Sequence, residues 1–184
     1  MPQRAQQGLF RLAVDRVFSL AGQGTVVTGT VFNGSVAVGD SLVHSATGKA
    51  VRVRSIHAQN RASNQGVAGQ RCALNLAGIA KEEIARGDWL LDARLLHTTQ
   101  HIDARLHLLA GAPTLKPWAP VHVHLGTMHC TGHVVLLQDG ELPSGAESLA
   151  QLVLDAPAVV QPGDRIIIRN AQASRTIAGA TVLD

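Results

Sequence analysis

Histidine is the residue type whose spacing here best suits chemistry. His122-Val123-His124 sets two imidazoles on one face of any strand that carries them, and His129-Cys130 and His133 follow closely. Imidazole and thiolate are good zinc ligands, but this spacing matches no strong zinc pattern. The reading is a polar or phosphate-facing surface with no metal. A metal-dependent enzyme built on His122, His124, His129 and Cys130 is the competing reading. Carboxylates are sparse, and no pair stands out as an acid–base couple. No G-x-x-x-x-G-K-[ST] loop and no G-x-S-x-G elbow occurs. Gly22-Gln23-Gly24 and Gly29 lie between strand-like runs with no helix following, which excludes a dinucleotide fingerprint. The chain reads as a binding module, not an enzyme.

The elements that would position these groups are strands. Val and Thr fill short runs cut by Gly every ten residues or so, the pattern of an all-β sandwich or barrel. Phe10, Leu12 and Val14 alternate with Arg11, Ala13 and Asp15. Thr25 to Phe32 ends at Asn33-Gly34, which predicts a hairpin. Ser41–His44 and Ala50–Ile56 flank a turn at Thr47-Gly48-Lys49, and Cys72–Leu76 is a further strand. Ala80–Ala85 is the one short helical candidate, closed by Arg86-Gly87.

In the second half, Ile102, Ala104, Leu106 and Leu108 interleave with Asp103, Arg105 and His107, a half-buried antiparallel strand. Runs at 121–125, 133–137, 149–154, 165–169 and 176–183 continue the pattern. A boundary near residues 92–99 predicts two antiparallel β-barrels, 1–96 and 97–184.

The 184 residues carry 16 Lys/Arg against 13 Asp/Glu, a net charge of +3. That charge is unevenly spread. Residues 1–96 hold eleven basic and six acidic residues; residues 97–184 hold five and seven, with seven of the nine histidines. A polyanion would lean first on the N-terminal half. Three Phe, two Trp and no Tyr weigh against a module that stacks bases on a row of aromatics. No apolar run reaches the roughly 20 residues of a membrane span, and the start MPQRAQQGLF lacks the apolar region of a secretory signal. Two cysteines are too few for a disulfide scaffold, so a reduced cytoplasm is expected.

Residues 10–31, with Val17-Phe18 ahead of Gly22-x-Gly24-Thr25-Val26-Val27-Thr28-Gly29, resemble the opening of the second domain of elongation factor Tu and its relatives. Val38-Gly39-Asp40-Ser41-Leu42 and the run Ala80 to Asp88 fit the same family. Within that superfamily the finer likeness is to the selenocysteine-specific elongation factors of bacteria. It is carried by Val14-Asp15-Arg16, the run Val51 to Asn60, the run Gly69 to Gly78 and the run His129 to Leu137. One departure is Ala21, where many members carry Lys.

The resemblance implies domains two and three of such a factor. The GTPase domain, with its GTP and Mg, would lie outside this chain. It implies selenocysteyl-tRNA, the factor's own GTPase domain and the ribosome as partners, with no membrane and no DNA. It implies an aminoacyl pocket built by Asp15, Arg16 and Arg71. It further implies tRNA contacts from Arg52, Arg54, Arg61, Lys81 and Arg86 in the first barrel and Arg165, Arg169 and Arg175 in the second. The bland alternative for these residues is a solvated strand face. The alternative functions are a general aminoacyl-tRNA elongation factor and a structural barrel pair that docks a GTPase domain.

Overall fold

The computed structural model describes residues 7–184. The chain divides between Leu96 and His97 into two compact units, each almost entirely β.

The first unit holds β1 (Arg11–Leu20), β2 (Gly24–Asn33), β3 (Ser35–Ala37), β4 (Ser41–His44), β5 (Ala50–Ala58), β6 (Arg61–Ser63), β7 (Gln65–Val67), β8 (Arg71–Ala77) and β9 (Trp89–Leu91). Six strands run in the order β4-β9-β1-β2-β8-β5, and β5 returns to pair with β4, closing the barrel. β6 extends β5 through a two-residue turn. Gln59 and Asn60 both have positive φ there, as a type I′ hairpin turn requires. Alternation fills the interior: Leu12, Val14, Val27, Val31, Val53, Leu74 and Leu76 are buried in one cluster.

Two expectations are corrected. Asn33-Gly34 does not make a hairpin of its flanking strands, because β3 leaves the barrel and pairs with β7. Gly34 sits at φ 68°, and a Cβ there would meet Phe10 N at 2.8 Å, so the turn serves a close chain approach. Arg11, on the outer side of β1, is nonetheless 2% exposed, with its guanidinium 5.0 Å from the Trp89 ring and 5.8 Å from the Phe32 ring. β1 is paired on both sides at that point, by β2 and β9, and those two aromatics roof its outer face. The helical candidate shrinks to a single 3-10 turn, Lys81–Glu83.

His44 is fully buried and ties β4 to the segment before β9. Its Nε2 donates to Asp88 Oδ2 at 2.8 Å, and its Nδ1 lies 2.8 Å from Thr47 Oγ1. This pairing satisfies a polar ring that the core would otherwise reject.

The second unit is a closed barrel in the order β10-β13-β12-β11-β14-β15. Its strands are β10 (Thr98–Leu108), β11 (Ala119–Leu125), β12 (Met128–Leu136), β13 (Glu147–Val159), β14 (Arg165–Asn170) and β15 (Thr176–Val182). Ile102, Leu106, Val123, Leu152 and Ile168 point inward. No described helix is long and apolar enough to cross a membrane, which leaves membrane-crossing strands untouched.

Candidate functional site

A bulge in β1 creates the site. Val14 pairs with Gly29 and Arg16 with Thr28, so Asp15 is an extra residue. Strict alternation from Leu12 and Val14 would drive Arg16 into the core. The bulge resets the phase: Val17 packs inward, while Asp15 and Arg16 both lie off the core side. Gly29 makes this possible. A Cβ at that position would collide with the Ala13 carbonyl oxygen and sit 2.6 Å from Leu12 Cδ2.

On the outer face the Asp15 carboxylate is gripped from two neighbouring strands. Thr28 Oγ1 of β2 donates to its Oδ1 at 2.6 Å. Arg71 of β8 donates Nη1 to Oδ2 and Nη2 to Oδ1, the latter at 3.1 Å, with Thr28 Oγ1 3.2 Å from Nη2. The fork is bidentate, which fixes the guanidinium plane as well as its position. The Asp15 side chain is 17% exposed and the Arg71 side chain 52%.

Burial raises the Asp15 carboxyl's pKa, but hydrogen bonds from Arg71 and Thr28 outweigh it. The charges of Arg71 and Arg16 add to them, so Asp15 titrates below an ordinary aspartate. One carboxylate and two guanidiniums leave a local surplus of one positive charge.

Asp15, Arg16 and Arg71 are thus brought together, Arg16 by charge and proximity, without a direct hydrogen bond to Asp15. Thr28 and His57 escaped the sequence reading. Thr28 follows from the outward parity of Thr28 and Thr30 once the bulge is known. His57 lies in the cross-strand row Arg16–Thr28–Ala73–His57. With Arg54, Ser55, Ser63 and Asn64 it lines a groove of about 440 Å³. Only register places His57 there; no local signal does.

The remaining basic residues do not gather into one cluster. Arg52 and Arg54 are exposed on β5, and Arg61 opens β6. Lys81 begins the 3-10 turn and Arg86 follows it, both exposed. In the second barrel Arg165 and Arg169 share the outer face of β14, about 13 Å apart by strand rise. Arg175 precedes β15 and donates to the Gly111 carbonyl oxygen.

The histidines of the second barrel meet on one outer face. His122 Nδ1 lies 2.7 Å from His129 Nε2, and His122 Nε2 donates to Ala171 O at 3.1 Å. His124 stacks on His129 with ring centroids 4.6 Å apart. Cys130 has the opposite parity and does not join them; burial pushes its thiol up, with the Asp155 charge adding to it. Among the described residues no three His, Cys, Asp or Glu side chains are placed to hold a metal ion.

A family model described as the β-barrel domain of selenocysteine-specific elongation factor matches residues 103–184, and one described as elongation factor Tu domain 2 matches residues 24–91. The selenocysteine-specific elongation factor of Haemophilus influenzae is 44% identical over 95% of this chain, and that of Escherichia coli 45% identical over all of it. In both, the chain spans 28% of the relative's length. A crystal structure of a bacterial selenocysteine-specific elongation factor superposes over 96% of this chain and 28% of its own, with a TM-score of 0.81 at 25% identity.

Proposed function

The chain belongs to the selenocysteine-specific elongation factor family, matching its two β-barrel domains, and from that premise we propose that it binds selenocysteyl-tRNA through an anion-selective pocket at the β1 bulge. The observation that carries this reading is the Asp15–Arg71–Thr28 cluster with Arg16 beside it.

A selenol is more acidic than a thiol, so at neutral pH the selenocysteyl group is largely a selenolate anion. Seryl-tRNA presents a neutral hydroxyl in its place. Asp15 holds Arg71 in a fixed plane, so the N–H groups it leaves unused face a ligand without first being ordered. Arg16 supplies the charge that Asp15 does not neutralise. A selenolate pairs with that surplus, whereas a hydroxyl leaves it poorly paired, at a cost of about 1–3 kcal/mol.

Arg52, Arg54, Arg61, Lys81, Arg86, Arg165, Arg169 and Arg175 supply salt-dependent contacts to tRNA phosphates. The chain's own residues perform no catalytic step in this scheme. GTP and Mg belong to a GTPase domain, which with the ribosome is the other partner, and the setting is the cytoplasm.

The test is a binding titration of the 184-residue chain with selenocysteyl-tRNA and seryl-tRNA under reducing conditions. The expected preference for selenocysteine is about 5- to 150-fold, and Arg71→Ala should abolish it. Equal affinity for both tRNAs would point to a general elongation-factor barrel pair. No binding even at low salt would leave a structural barrel pair that docks a GTPase domain.

A further inference from the structure

We propose that the His122–His129 pair on the outer face of the second barrel is a proton-gated site for an RNA phosphate, so that RNA binding tightens as pH falls. This rests on the reading that the chain binds RNA, and it assigns a role to a histidine group that the pocket does not use.

The hydrogen bonds determine what the pair can do. A carbonyl oxygen only accepts, so His122 Nε2 must carry a hydrogen to meet Ala171 O. In the neutral pair His122 Nδ1 therefore accepts from His129 Nε2–H across 2.7 Å. Protonation of His122 lets its Nδ1–H donate instead, while His129 shifts its own hydrogen to Nδ1. Both hydrogen bonds survive. A second proton would set two N–H groups against each other over that short distance. The pair can therefore hold one added proton with both hydrogen bonds kept.

The surroundings favour an anion as the stabilising partner of that charge. Arg169 of β14 is the cross-strand neighbour of His122 and is permanently charged. His124 stacks on His129; burial first, then the charges of His129, Arg169 and His122, hold it below an ordinary histidine. Asp155 of β13 brings a carboxylate to this face, but the Thr131 hydroxyl donates to it. His133 lies farther along β12, and Cys130 has the inward parity.

One fixed and one switchable positive charge on adjacent strands suit a single phosphodiester. A flat ring stands farther along β11 and β12, at His133. Trp118 is 57% exposed, held in left-handed backbone at φ 60°, and stacked on His133 at 4.9 Å. One face of that indole is covered by His133 and the other can take a nucleobase, which favours RNA over an acidic peptide.

The experiment measures the affinity of the 184-residue chain for a tRNA at constant ionic strength from pH 8 to pH 5.5. The wild type should tighten about tenfold, as one linked proton allows. The H122Q/H129Q double variant should lose that slope, while H107Q, on another strand of the same barrel, keeps it. Arg169→Ala should weaken binding at every pH. NMR titration of the wild-type imidazoles needs no substitution: tRNA should raise the titration midpoint of His122 or His129. A slope that survives in H122Q/H129Q, or unmoved imidazole midpoints, overturns the inference alone. Absence of tRNA binding at every pH overturns the functional reading beneath it. Competition by polyglutamate equal to that by RNA makes an acidic polypeptide the occupant and overturns the choice of RNA.

Discussion

The outer faces of the two barrels carry opposite kinds of charge chemistry on the same scaffold. At the β1 bulge, a carboxylate and two guanidiniums keep their charges across the physiological range. On β11 and β12, the cluster is imidazole, the side-chain type whose ordinary titration range lies nearest neutral pH. Both barrels close with six strands and bury an aliphatic interior. The contrast teaches that closure settles the inside, while the outward positions remain free to specialise. The first face needs a backbone irregularity to assemble; the second uses regular pairing, with His124 opposite His129.

Breaking the irregularity should have the largest effect. Gly29→Ala puts a methyl against the Ala13 carbonyl and Leu12, and should lower stability by about 3 kcal/mol in denaturant unfolding. Gly132→Ala is the matching probe of the second barrel. Its Cβ would lie 2.5 Å from Val153 O, and a loss of about 2 kcal/mol is expected. A stable Gly29→Ala protein would mean that the bulge can slide, and the first site would lose its geometric basis.

The pairing itself comes next. Asp15→Asn weakens two charge-assisted bonds to Arg71, and should lower stability by about 1 kcal/mol, because the half-exposed guanidinium is rehydrated. His122→Gln in the exposed second face should change stability by less than about 0.5 kcal/mol.

Acid should separate the two faces by window. Asp15 has a depressed folded pKa, and Asp92, held by hydrogen bonds from the Arg94 side chain and backbone, titrates at about 2. Their stabilisation is present above the ordinary aspartate value of 3.8 and is lost as pH falls through the folded values. His124 is a base with a depressed folded pKa, so its contribution is full above the ordinary 6.5 and declines as pH falls below it. Thermal melts from pH 8 to pH 2 should show a first decline removed by His124→Gln and a second, below pH 4, reduced by Asp15→Asn. A single decline confined below pH 4 would remove the proposed difference between the faces.

The smallest effect concerns the thiols. Cys72 and Cys130 are both free, and burial raises both pKa values, so native alkylation should be about tenfold slower than for an exposed cysteine. Mass spectrometry at timed intervals would read this for each barrel separately.

Much of the fold was legible because a strand writes its burial into every second residue. Val51 and Val53, or Ile102, Ala104, Leu106 and Leu108, state which side faces the core. The turn between β4 and β5 was equally readable. Asn33-Gly34 misled because a turn signal reports a change of direction and not the partner of the strand that follows. The burial of Arg11 was not legible, because parity cannot show that Phe32 and Trp89 roof the outer face. The short β9 was missed because Trp89, Leu90 and Leu91 are buried together and show no alternation.

The sequence by itself determined the all-β class, the two clusters of strand runs and the residue types that carry charge, since these follow from period-two burial and composition. Tertiary structure alone decided which charges meet. Asp15 and Arg71 are far apart in the chain, and a one-residue bulge opposite Gly29 turns Asp15 and Arg16 to the same side. His122 and His129 face each other because the β11–β12 register puts His124 opposite His129. Such meetings depend on register: the two-residue turn between Leu125 and Met128 sets it for the histidines, whereas only the non-local β2–β8 pairing of the closed barrel brings Arg71 to Asp15.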